Sequence, residues 1–375
     1  MRLFVALTLA VLAACSRASS PPQPAPVFHE DGYPAALSDW NLMSAANGEL
    51  TLSPSVTPYD LATPLFTDYA LKLRTVTLPA GTSATYSDDD AFDFPVGTII
   101  SKTFYYPQAG GEWTGDVVEG PNPTAANGRL RLDGVRLIET RLLVHRAQGW
   151  VAIPYVWNEE QTDAFLQRTG ATKRLTLHRS DGRAEPFAYV VPNQNQCAGC
   201  HATNNTTRRM LPIGPKARHL NKASTFNVDE NQLDHWVKAG MLKGAPADMS
   251  AAPRNAVWTN KSEKLDARAR AYLDANCSHC HSDVGPADTS GLDLRPWIAF
   301  GPKYGECKTP VAAGGGSGGQ PYDIVPGAPE HSIFIYRMAT TQPGNMMPEL
   351  GRSTNHEEGV ALIADWIAAM EGGCG

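Results

Sequence analysis

Two short stretches constrain this chain more than any other feature: Cys197-Ala-Gly-Cys200-His201 and Cys277-Ser-His-Cys280-His281. Each is the C-x-x-C-H pattern of c-type haem attachment. The chemistry needs that spacing. Two thiols three positions apart on a helical turn reach the two vinyl groups on one edge of a porphyrin, and the adjacent histidine then points its imidazole at the iron. A four-thiolate zinc site fits less well, because ribbon pairs lie about 15–20 residues apart and the interval from Cys200 to Cys277 is far longer. A thioredoxin-like redox pair would occur once, on a βα unit, with no need of a following histidine. Cys197, Cys200, Cys277 and Cys280 are therefore expected to carry two covalent haem c groups, with His201 and His281 as iron ligands.

The other cysteines set the compartment. Arg2 is followed by an apolar run from Leu3 to Ala14, the layout of an export signal and too short to span a bilayer permanently. The ending Leu12-Ala13-Ala14-Cys15 resembles the lipobox of bacterial lipoproteins, which implies a signal peptide over 1–14 and lipidation of Cys15. Residues 15–32 begin as a Ser/Pro/Ala-rich stretch that cannot pack and reads as a tether. Ser16 after the lipidated position, by resemblance to Gram-negative lipoproteins, points to the outer membrane, facing the periplasm, with the cell surface as the alternative. Export places thiols in oxidising surroundings. Of seven cysteines, one is lipidated and four are in thioethers, which leaves Cys307 and Cys374 to close a disulfide. By loop-closure entropy that bond contributes about 4 kcal/mol.

The 375 residues are enough for two or three domains, and a net charge of −6 without a long basic block gives no footprint for nucleic acid. With 33 glycines and 29 prolines, turns and ordered loops are favoured over a helix bundle.

Residues 259–375 follow the order of a class I cytochrome c. Ser262 is placed to cap a helix in which Leu265, Ala269, Tyr272 and Leu273 share a face, ending at Asn276 beside Cys277. Asn355 to Glu358 is a capping-box pattern, followed by Val360, Ile363, Trp366, Ile367 and Met370 on one face and Gly372 as a stop. These stripes should pack on each other. Between them lies Gly344-Asn-Met346-Met347-Pro348, and proline's fixed φ suits a loop holding a thioether toward iron. Met347, directly before the proline, is chosen over Met346 as the second haem's distal ligand.

Residues 193–258 form the first haem module. A helix is expected from Asp229 to Ala239. Met210, His219, Met241 and Met249 are all candidates for its distal ligand, and an open iron is a further possibility.

Residues 33–192 alternate strand-like stretches with turns: Arg74 to Pro79, Thr98 to Tyr106, Val135 to His145, Trp150 to Trp157, Lys173 to His178 and Phe187 to Val191. Asp133-Gly134, Gln148-Gly149 and Asp181-Gly182 look like hairpin turns, and one helix is expected over Glu159 to Arg168. The fold class is α+β and multidomain: a β-rich, sandwich- or barrel-like domain, then two small, mostly helical cytochrome c-like modules. Asp88 to Asp90 with Asp93 reads as a solvated turn before a calcium site. His145 and His178 read as packed or surface imidazoles.

Four stretches carry a resemblance: Pro58-Tyr-Asp-Leu-Ala-Thr-Pro-Leu-Phe-Thr-Asp-Tyr69, Phe94-Pro-Val-Gly-Thr-Ile-Ile-Ser-Lys-Thr-Phe104, Glu139-Thr-Arg-Leu-Leu143 and Pro212-Ile-Gly-Pro-Lys216. With both haem motifs, they resemble a family of bacterial exported dihaem c-type cytochromes. Members are often lipoproteins, and some accompany a parallel β-helix protein. The tail, from Leu265 to Trp366-Ile, resembles cytochrome domains appended to periplasmic dehydrogenases. The resemblance supports both thioether sets and their histidines and leaves the first distal ligand open. The expected function is single-electron transfer with periplasmic redox proteins as partners and the membrane engaged through a lipid anchor. A dihaem peroxidase or oxidase with an open first haem is the rival, and a docking lipoprotein acting through the β-rich domain is the third reading.

Overall fold

The structure is a computed structural model and describes residues 24–121, 129–226, 230–311 and 313–375. The export segment and Cys15 lie outside the described residues. The chain is a strand-rich α+β protein. Its strands are β1 Met43–Ala46, β2 Glu49–Leu52, β3 Thr57–Tyr59, β4 Leu71–Thr77, β5 Ala84–Thr85, β6 Ile99–Pro107, β7 Asp116–Val118, β8 Arg129–Arg131, β9 Val135–Arg146, β10 Gly149–Trp157, β11 Ala164–Leu166, β12 Ala171–His178, β13 Ala184–Val191 and β14 Leu242–Lys243. Its α-helices are α1 Ala198–His201, α2 Ala217–Leu220, α3 Gln232–Lys238, α4 Leu265–Asn276, α5 Ile333–Ala339 and α6 Glu357–Ala368.

A six-stranded antiparallel sheet, in the order β11-β10-β9-β6-β4-β3, organises the molecule. Alternation along its strands gives two different faces. One face turns Leu73, Leu142, Val144, Ile153 and Tyr155 onto Trp40, Leu50 and Leu130, so the sheet β1-β2-β8 packs over it as in a sandwich. Each such large side chain contributes about 1.5–3 kcal/mol on burial. On the opposite face, Tyr106 and Ile138 pack with Leu177 and Tyr189 of the sheet β13-β12-β7. Elsewhere on that face, Val76, Ile100 and Trp150 pack with Leu220 of α2 and Leu233 and Trp236 of α3. Residues after 193 thus share a core with the β-rich region.

At the carboxyl end, Ala269, Tyr272 and Leu273 of α4 meet Ile363, Trp366 and Ile367 of α6 in one cluster, as the two apolar stripes require. The crossing is close. A Cβ on Gly359 of α6 would stand 2.3 Å from the Tyr272 hydroxyl, so only glycine fits there. Cys307 and Cys374 are joined, with their Cα atoms 5.2 Å apart, and fasten the chain end beside this core.

Several local expectations are corrected. Glu159 to Arg168 is not a helix: Asn158 accepts from the amides of Thr162 and Asp163 through its side chain, and the chain turns back into β11, which pairs with β10. A cap-like Asn followed by Gln serves a side-chain turn as readily as a helix start. Asp133-Gly134 joins strands of different sheets, because β8 pairs with β2 and β9 with β6 and β10. Ser262 bonds Asn260 and caps nothing, and α4 begins at Leu265. No capping box forms at Asn355 to Glu358, because the Glu358 carboxylate is taken by Tyr69 and Arg179. Helix α3 runs from Gln232, capped by Asn231, and Asp229 lies outside the described residues.

Candidate functional site

The chain leaves β13 through a reciprocal turn in which Asn193 and Gln196 each accept the other's backbone N–H by the side chain, at 2.8 and 2.9 Å. This delivers Cys197 to His201 as one helical turn, closed by the His201 amide on the Cys197 carbonyl. The second motif begins where α4 ends, and the His281 amide closes on the Cys277 carbonyl in the same way. None of the four motif cysteines is in a disulfide.

Both histidines are held by one ring nitrogen. His201 Nδ1 lies 2.9 Å from the Leu211 carbonyl, which can only accept, so Nδ1 carries the proton. His281 Nδ1 lies 3.1 Å from Ser290 Oγ, whose own proton is given to the Ala287 carbonyl, so here too Nδ1 donates. Nε2 is left with its lone pair in each ring, the arrangement second-shell hydrogen bonds give to a metal-binding imidazole. Burial pushes both rings down to about 4, so both are neutral near pH 7.

Each histidine opens onto its own cavity. His281 and Cys277 share one with Leu273, Leu294, Met338 and Met347, about 600 Å³ of empty space in all, part of it open to solvent. Its lining is largely apolar, as small-molecule sites are. Met347, the expected distal ligand, is therefore in the same cavity as His281. Its loop is tied down by a residue without a sequence signal. The buried Arg352 donates to the carbonyls of Met347, Thr354, Arg337 and Thr340 at 2.9–3.1 Å, while the Met347 amide bonds the Arg337 carbonyl.

The first cavity holds His201 and, of the four distal candidates, His219. Met210, Met241 and Met249 instead pack against the core formed by α2, α3 and the sheet, and Met241 accepts a hydrogen bond from Thr57 at sulfur. His219 Nε2 lies 3.0 Å from Asp274, a buried carboxylate that also accepts from Asn255 at 2.7 Å and from Ser278 at 3.0 Å. Burial raises the Asp274 carboxyl, but His219, Lys216 and Asn255 outweigh this and hold it below its ordinary range. A neutral His219 ring donating to the carboxylate through Nε2 would carry its lone pair on Nδ1. That atom is on the side of Gly214, itself part of the cavity wall.

The four stretches that carry the resemblance, remote in sequence, converge on this first cavity. Tyr59, Leu61 and Leu65 come from the first, Ile100 and Lys102 from the second, Leu143 from the third and Ile213, Gly214 and Pro215 from the fourth. The segment Leu61–Tyr69 then runs on as a seam. Phe66 N–H bonds Asn276, the Asp68 carboxylate accepts from Ser353 and Thr354, and Phe66 stacks on His356 with ring centroids 4.4 Å apart.

The two motifs touch each other. Cys280 Sγ is 3.8 Å from the Gly199 carbonyl, and the Asn205 amide bonds the Val284 carbonyl at 2.6 Å. A hydrogen bond between Cys200 and Cys280 lowers the pKa of the first thiol and raises that of the second. The two C-x-x-C pairs still do not build a zinc cage. Among the described residues, no three His, Cys, Asp or Glu side chains converge as metal ligands.

His145 stacks on Trp150 and donates through Nδ1 to the Phe94 carbonyl, and His178 pairs with Asp116. Asp88 and Asp89 are bonded by Tyr86 and Arg218 respectively. No helix among the described residues is long and apolar enough to cross a membrane. No family model, curated protein or solved structure matches this chain.

Proposed function

We propose that this chain is a dihaem c-type cytochrome, exported as an outer-membrane lipoprotein anchored through Cys15, that passes single electrons between periplasmic redox proteins. One observation carries the reading. Two C-x-x-C-H turns stand against each other, each with a neutral histidine that is held through Nδ1 and lines its own largely apolar cavity. Bound there, haem supplies one-electron chemistry, tuned by its axial ligands and its burial.

This chain's residues supply the rest. Cys197 and Cys200 fix the first group, and Cys277 and Cys280 the second. Leu211 and Ser290 orient the proximal histidines. Arg352 holds the loop of Met347 beside the second cavity, and the Met347 thioether would hold the second group there and raise its potential. In the first cavity, His219, its ring fixed by Asp274, would hold the group through Nδ1. Cytochrome c-like modules built on residues 193–258 and 259–375 belong to this reading.

The same pair motivates the rival. If the first iron keeps an open position, His219 with Asp274 is an acid–base pair beside it, as a dihaem peroxidase or oxidase needs. Optical and EPR spectra of holoprotein made with a c-type maturation system separate the two. The carrier gives two low-spin centres, with Met347→Ala converting only the second and His219→Ala only the first. A high-spin first centre in the parent protein, with peroxide turnover, selects the enzyme. Spectra unchanged by both substitutions contradict both ligand assignments.

A further inference from the structure

The inner sheet face is not apolar beneath the first haem motif. Register sets Tyr59, Arg74, Lys102, Arg141 and Pro154 directly opposite one another on β3, β4, β6, β9 and β10. Three cations in one cross-strand row repel, and sheets normally avoid the arrangement. The next row adds Lys72 and Glu139 on either side of Phe104, whose ring lies under Lys72, Lys102 and Arg141 at 4.4–5.7 Å.

Glu139 receives Arg141 Nε at 2.7 Å and Nη2 at 2.5 Å. Asp60 accepts from Lys222 through Oδ2 at 2.6 Å, and its charge favours that of Arg74, but its Oδ1 is buried without a hydrogen-bond partner among the described residues. No hydrogen bond to either acid reaches Nη2 of Arg74. Arg74 is 5% exposed, it lines the cavity that holds His201, and its Nη2 is buried with no hydrogen-bond partner among the described residues. Lys102 lines the same cavity. Burial opposes both charges, holding Arg74 below its ordinary range and pushing Lys102 down to about 7. A guanidinium with a bare N–H in such a place marks the position of an anion.

We propose that Arg74 and Lys102 seat the propionate carboxylates of the first haem, so that the β-rich region supplies half of that haem's binding site. The proposal rests on the dihaem reading. Haem brings two carboxylates of its own on an edge remote from the vinyl groups, and once attached at Cys197 and Cys200 it delivers them without a second ligand. Arginine's planar fork suits a carboxylate.

Optically monitored potentiometric titration of the matured full-length protein, across a pH series, tests this. Arg74→Gln and Lys102→Gln should each lower the midpoint potential of the first centre, because removing a positive charge favours the ferric form. Each should also raise the pH at which that potential responds to propionate ionisation. The second centre should not move, and Arg74→Lys should stay close to the parent. If Arg74→Gln fails to accumulate, Lys102→Gln read in the same way decides. First-centre curves that superimpose on the parent, or equal shifts at both centres, overturn the proposal. A first-centre potential that moves with added inorganic phosphate in the parent protein also overturns it, since the row would then serve a free anion. Parent protein without haem at the first motif would instead be a failure of the dihaem reading.

Discussion

At the scale of single residues, the proposed function rests on which nitrogen or sulfur each side chain leaves free. The two C-x-x-C-H motifs stand out because thioether attachment would fix both spacing and residue type. Met347 was singled out by its proline, and it lines the same cavity as His281. Arg352 was not legible. An isolated arginine in a glycine-containing loop has no pattern, and its role appears only when four carbonyls, from Arg337 to Thr354, are folded around it. The His219 position was one of four candidates, because nothing local in a sequence says which loop folds over a cavity. Arg352→Ala removes charged donors from buried carbonyls and should cost at least about 2 kcal/mol. Urea unfolding measures that loss, and the near-infrared band of Met-ligated ferric haem should weaken at the second centre alone.

At the scale of elements, the strands were read well and the helix starts poorly. Long alternating runs such as Val135–Arg146 leave little choice, since a one-residue slip would turn every side chain to the wrong face. Cap patterns are short and serve turns equally, which is why Asn158 and Ser262 misled. The start of α6 shows what replaces a cap. Glu357 receives two bonds from Arg183 of the β12–β13 hairpin, and the Arg183 hydrogen bond holds its pKa below the ordinary carboxylate range. A depressed acid stabilises the fold above its unfolded pKa of about 4.3 and loses that contribution as pH falls through the folded value. The parent should therefore exceed Glu357→Gln in urea midpoint near neutral pH, and the two should converge in acid below about pH 4. A difference that persisted in acid would count against the pair. The disulfide was legible by elimination among the seven cysteines and is present. Replacing Cys307 and Cys374 by serine should cost up to about 4 kcal/mol, read as a lower thermal midpoint.

At the scale of the whole molecule, the β-rich region has a more definite part than its sequence suggested. Its strands read as a sandwich- or barrel-like domain with no ligand assigned to it, because a cavity wall drawn from four distant stretches has no local signature. Folded, those stretches meet at His201, and the Leu61–Tyr69 segment joins the sheet to both motifs. Removing residues 33–192 should therefore abolish the first centre as well as any docking role. Covalent haem at both motifs is the claim on which all of this depends, and intact-mass spectrometry of protein matured in a competent periplasm tests it most directly. We expect the lipidated polypeptide plus two haem groups, with Cys200→Ala and Cys280→Ala variants impaired at one motif each. A polypeptide mass with no added porphyrin, in a host that matures other c-type cytochromes, would contradict it.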